Sequence, residues 1–240
     1  VNAPQNIDAW RVAALCEMPA EKLHAVLAGE DATDWIEAAA RCGFVDAQLR
    51  LGRMLLEAGA YDEAFAWFAR AARSADADAL NMLGRCYENG WGTAPSATRA
   101  AELYLCAAEA GHAWAQYNLG HLLLDGNGVA RDLTGAFQWY ARAADQGHER
   151  AMNLLARCYE EGWGVARNAK CARDWYRKSA QGGYFRGCYN YATLLVTDGC
   201  AFAASIWFKR SLATAPEPTR DFIRTALANR PEPLLRRLAA

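Results

Sequence analysis

The chain repeats itself. Leu83-Gly84, Leu119-Gly120, Leu155-Ala156 and Tyr191-Ala192 fall in register at steps of 36 residues, with Leu51-Gly52 one step of 32 earlier. A second column, Trp67, Leu103, Trp139, Trp175 and Trp207, follows at steps of 36, 36, 36 and 32. The two short steps share one cause: the first and last copies lack four residues between their halves, where the three central copies carry a Gly-x-Gly loop. A period in this range marks a stack of supersecondary units, each completing the core of the next.

Within each copy the spacing predicts two helices. The first carries Ala, Leu-Gly and a Leu or Tyr at i, i+4, i+5 and i+8, as in Ala79, Leu83, Gly84 and Tyr87, or Ala115, Leu119, Gly120 and Leu123. That spacing gathers the large groups on one face and puts a small residue where another helix backbone comes close. The second repeats small, aromatic, small at i, i+4 and i+7: Ala100-Tyr104-Ala107, Ala136-Tyr140-Ala143, Ala172-Tyr176-Ser179. Between them, Asn89-Gly90-Trp91-Gly92, Asp125-Gly126-Asn127-Gly128 and Glu161-Gly162-Trp163-Gly164 end the first helix, the first glycine as a left-handed cap. No strand precedes these loops, which argues against phosphate binding by them.

The copies run 45–76, 77–112, 113–148, 149–183 and 184–215. Before them, residues 1–44 read as a helical cap, with helices at Ile7–Met18 and Ala20–Ala28 and half a repeat at Trp35–Phe44. After them, Pro216-Glu217-Pro218 stops the last repeat helix, and Thr219 is expected to cap Arg220–Ala228. Residues 216–240 then cover the apolar face of the last copy.

Formal charge is −1, so no overall basic field favours nucleic acid. No apolar run approaches the roughly 18 residues of a membrane span. The eight cysteines keep no constant offset and form no Cys-x-x-Cys. They read as free thiols of a reducing compartment rather than a disulfide frame or a zinc site. A cytoplasmic location follows from that; because the chain begins at Val1, a removed signal peptide and a periplasmic location stay open.

At Ala115-Gln116-Tyr117-Asn118-Leu119-Gly120, Asp125-Gly126-Asn127-Gly128-Val129 and Ala136–Gly147 the sequence resembles the Sel1-like repeat family, relatives of the tetratricopeptide repeats with a longer inter-helix loop. The resemblance covers about residues 35–215. It implies an all-α fold, a right-handed superhelix (solenoid) of about five helix pairs with helical caps, whose first helices line a concave face. It also implies an adaptor that assembles protein complexes.

No catalytic constellation is visible, and neither a cofactor nor a metal site is expected: Ser-x-x-Lys, His-Glu-x-x-His and a paired Cys-His signature are all missing. His112 and His148 hold equivalent repeat ends and read as structural. By analogy with tetratricopeptide repeats, the residue after Leu-Gly faces the groove, a column of Arg53, Arg85, His121, Arg157 and Thr193. Beside it runs Leu49, Asn81, Tyr117, Asn153 and Tyr189. Cationic donors next to amides and phenols suit the backbone and carboxylates of an acidic peptide or C-terminus. Against this stand same-helix carboxylates, Glu57, Glu88 and Glu160, three or four residues after the arginines, which would make the ladder a solvated ion-pair face worth about 0.2–0.5 kcal/mol per pair. The loop residues Trp91 and Trp163 divide likewise between partner contacts and packing on the adjacent repeat. The expectation is a non-enzymatic interaction scaffold with a protein or peptide partner; the alternative is a periplasmic or secreted repeat protein that binds a glycan or cell-wall fragment.

Overall fold

A computed structural model describes residues 32–239, together with Ala14. The helices expected at Ile7–Met18 and Ala20–Ala28 lie, Ala14 apart, outside the described residues. The chain is all-helical among the described residues and divides into two compact units between His112 and Ala113. The first holds α1 (Ala32–Arg41), α2 (Val45–Glu57), α3 (Tyr61–Ala71) with a 3-10 turn at Ala72–Ser74, α4 (Ala77–Asn89) and α5 (Ala97–Glu109). The second holds α6 (Ala113–Asp125), α7 (Leu133–Asp145), α8 (Glu149–Glu161), α9 (Ala169–Gln181), α10 (Phe185–Thr197), α11 (Ala201–Thr214), α12 (Glu217–Ala228) and α13 (Pro233–Arg236). Within each unit, consecutive helices pack as pairs, α2 on α3 and α4 on α5, then α6 on α7, α8 on α9 and α10 on α11. No described helix is long and apolar enough to cross a membrane.

The helices begin and end where side chains satisfy their free backbone groups. Ser96, Asp132 and Asn168, spaced 36 apart, cap α5, α7 and α9 by accepting the N–H of Arg99, Gly135 and Cys171 at 3.4, 2.9 and 3.0 Å. Asp76 does the same for α4 through Ala79 N–H at 2.9 Å. At α8 the cap is His148, whose Nδ1 accepts the Ala151 N–H at 3.2 Å, giving that repeat-end histidine a structural task. Gly90 and Gly162 close α4 and α8 at φ 72° and 79°, in the left-handed region that a side chain makes costly.

Two of the loops lock a copy onto the one before it within the same unit. A Cβ on Gly92 would run into the carbonyl of Tyr61, at the start of α3, and one on Gly164 into the carbonyl of Leu133, at the start of α7. Inside a copy, the helix-face glycines meet a ring rather than the helix backbone that their spacing suggested. A Cβ on Gly52, Gly84 or Gly120 would stand 2.6, 2.7 or 2.6 Å from the ring of Phe68, Tyr104 or Tyr140 on the paired helix. Those rings are fully buried, and burying a phenylalanine-sized side chain stabilises by about 3 kcal/mol. The small residue is therefore the socket for the aromatic one.

At the C-terminal end the helix begins earlier than expected. α12 starts at Glu217 with Pro216 as its N-cap, so Thr219 lies inside the first turn, its N–H on the Pro216 carbonyl at 3.0 Å. The proline ring preorganises that turn, which displaces the threonine from the capping position. Ile223, Leu227 and Leu235 bury themselves with Ala192, Ala204 and Phe208 of the last helix pair.

Candidate functional site

The two groove columns end up in different settings in the two units. In the first, Asn81 is buried on α4 beside the core that also takes up Leu49. Arg53, exposed on α2, pairs with Asp78 at the start of α4 rather than with Glu57. Arg85 lies over the ring of Trp91 at 5.2 Å, with an Nη1 contact to the Met82 sulfur at 3.6 Å. In the second unit, Tyr117 and His121 from α6, Asn153 and Arg157 from α8, and Tyr189 from α10 all line one cavity of about 610 Å³. Thr193 is turned away from polar partners outside its helix, its hydroxyl donating to the Tyr189 carbonyl at 3.0 Å.

The same-helix ion pairs expected of the ladder do not form among the described residues. Glu88 and Glu160 accept instead from the buried phenols of Tyr104 and Tyr176, each at 2.6 Å. A carboxylate satisfying a buried hydroxyl gains more than a solvated ion pair does, which explains the exchange. Arg157 is left to lie over Trp163 at 4.8 Å, as Arg85 lies over Trp91. Trp163 packs against the core around Tyr140 and Leu155, while Trp91 stacks on Tyr61 of the preceding copy at 6.5 Å.

Sequence reasoning missed most of the cavity wall. Tyr184, Phe185, Arg186 and Asn190 of the last helix pair, and Pro218, Thr219, Phe222 and Ile223 of α12, form much of it, with Leu154, Glu160 and Tyr176 beside them. Tyr189 and Phe222 face each other with ring centroids 6.4 Å apart. Asn190 donates its amide to Asn153 Oδ1 at 2.8 Å. Arg150 sits between Trp114 and Tyr184, 5.0 and 5.7 Å from their ring centroids. Burial pushes the phenols of Tyr117 and Tyr184 up, while the charges of Arg150 and Arg186 pull them part of the way back. Arg186 follows an aromatic residue at a repeat start, and that pairing was the available signal. The α12 residues carried none, since they belong to no copy.

The arrangement offers aromatic surface, amides and guanidinium groups, which bind and orient. No cluster of three or more histidine, cysteine or carboxylate side chains fit to hold a metal occurs among the described residues.

The Sel1 repeat family model matches residues 45–76, 77–112, 115–148 and 149–184. A Sel1 repeat protein from Oxalobacter formigenes is 23% identical with a TM-score of 0.71, and the match covers 98% of each chain. A protective antigen of uropathogenic Escherichia coli strains, displaying an SLR fold, is 26% identical with a TM-score of 0.70; the match covers 87% of this chain and 47% of the antigen. An immunity protein from Pseudomonas aeruginosa shares the fold at 17% identity and a TM-score of 0.55, over 80% of this chain and 74% of that one. No curated protein matches the chain.

Proposed function

The chain belongs to the Sel1 repeat family, and we propose that it is a non-enzymatic interaction scaffold that holds a peptide segment of a partner protein in the cavity of its second unit. Sel1 repeats generally serve as protein-interaction scaffolds. The finer reading rests on one observation: Tyr117, His121, Asn153, Arg157 and Tyr189, five residues of the groove columns, line a single cavity of about 610 Å³. That volume is in the range of sites that enclose a ligand of a few residues, roughly 300–1,000 Å³. An acidic segment suits it, because Arg157 and Arg186 supply charge and Asn153 and Asn190 supply amides for a backbone. In the first unit Arg53 is already engaged by Asp78, which shifts the weight of the reading to the second unit.

Affinity capture with the full chain, followed by mass spectrometry, identifies the partner. Recovery of that partner should fall sharply with Arg157→Ala, and less with Arg85→Ala, whose residue lies outside the cavity. Equal recovery by the parent chain and by the Arg85→Ala, Arg157→Ala double variant would sink the reading.

A further inference from the structure

Resting on the reading that this cavity binds a peptide, we propose that its occupant is the free C-terminus of a partner chain, with the terminal carboxylate in the field of Arg157 and Arg186 and a large apolar last side chain among Tyr184, Tyr189 and Phe222.

The charge on the wall is net positive, two guanidinium groups against one carboxylate. Arg157 and Arg186 both line the cavity, and neither has a carboxylate within ion-pair distance among the described residues. The one carboxylate on the wall, Glu160, is held by the Tyr176 hydroxyl at 2.6 Å; it keeps its charge but is outnumbered by the two arginines. Elsewhere on the chain, Arg53 and Arg173 are matched by Asp78 and Asp198. Arg157 lies over Trp163 and Arg186 over Phe185, at 4.8 and 5.6 Å, and such stacking holds the guanidinium plane while its N–H edge stays available to an anion. Asn190 donates to Asn153 Oδ1 at 2.8 Å, and both amide side chains line the cavity beside the two arginines.

The apolar part of the wall separates a chain end from a small anion. Tyr184, Phe185, Tyr189 and Phe222 offer a surface that inorganic phosphate or a dicarboxylate does not use, and Phe222 is 64% exposed with nothing covering its outer side among the described residues. Geometry separates a chain end from a segment passing through. The first helices α6, α8 and α10 contribute to the wall in chain order, and α12 follows, its Pro218, Thr219, Phe222 and Ile223 closing that side. A strand of peptide following the columns meets a helix there, and a chain that ends needs no exit.

The test uses the full chain as bait for two phage-displayed peptide libraries, one displayed with free C-termini and one inserted between fixed flanking sequences. The proposal expects enrichment in the free-terminus library, converging on a large apolar last residue. A synthetic peptide of that sequence should bind about tenfold or more tightly as the acid than as the C-terminal amide, the ratio expected for loss of a charge-assisted hydrogen bond. Arg157→Ala and Arg186→Ala should each weaken the acid about as much and leave the amide unmoved, and Phe222→Ala should relax the preference at the last position. Circular dichroism confirms that these exposed substitutions leave the helices intact. Enrichment confined to the inserted library, or equal binding of acid and amide, overturns the C-terminal proposal and leaves peptide binding standing. Enrichment in neither library overturns both.

Discussion

Tyr104, Tyr140 and Tyr176 hold one position of three consecutive copies and are all buried, yet they differ by a single partner. The outer two donate to Glu88 and Glu160, sixteen residues upstream. At the same offset from Tyr140 the chain has Leu124, and the Tyr140 hydroxyl is buried without a partner. Hydrogen bonds to a charged acceptor count for more than neutral ones, and an unsatisfied buried hydroxyl is a cost. Tyr104→Phe and Tyr176→Phe should therefore each lower stability by about 1–2 kcal/mol, while Tyr140→Phe should be neutral or stabilising. Urea unfolding midpoints of the three variants decide it; a loss at Tyr140 equal to the other two would mean that its hydroxyl has a partner after all.

The inter-helix loop is where one element fixes another. Gly164 combines φ 68° with a seat on the Leu133 carbonyl, whereas Gly59, at φ 79°, has open space where a Cβ would go. Gly59→Ala should cost only the left-handed conformation, about 1–2 kcal/mol. Gly164→Ala should cost more than about 3 kcal/mol, because the loop must also lift from α7. Thermal unfolding of the two variants compares them directly. These loops and the helices around them were legible in the sequence, since glycine, a cap and a 36-residue register are local signals. The groove columns were legible too, but their partners were not. Helical spacing favoured Glu88 for Arg85 and Glu160 for Arg157, and only packing hands those carboxylates to tyrosines on the paired helix. A subtler signal was present: Arg85 and Arg157 stand six residues before Trp91 and Trp163, and where the arginine becomes His121 the tryptophan becomes Asn127. The two columns change together because the guanidinium and the indole are stacked on each other. The part of the cavity made by α12 had no such pattern, being built by a helix that occurs once.

On the scale of the whole molecule, burial of thiols and phenols sets a pH limit. Burial pushes the Cys86 thiol up to about 11 and the Cys158 thiol up to about 12, and raises Cys188 and the repeat tyrosines as well. A group whose native pKa lies above its unfolded value keeps its proton longer in the folded chain, so folding stability falls as pH rises between the two. The urea midpoint should be flat up to about pH 8.5 and fall between the ordinary thiol value of 9.0 and about 11 to 12. At pH 8 the exposed Cys106 and Cys200 should react with a thiol reagent at once, and the buried Cys86, Cys158 and Cys188 only after unfolding. A midpoint unchanged at pH 10.5 would show that these groups titrate normally. The seating of Gly92 on Tyr61 and of Gly164 on Leu133 gives assembly a direction. Each of these loops closes against a helix start that precedes it in the chain, so a copy emerging during synthesis finds its seat already made, and an error in one copy is felt by the copy that comes after.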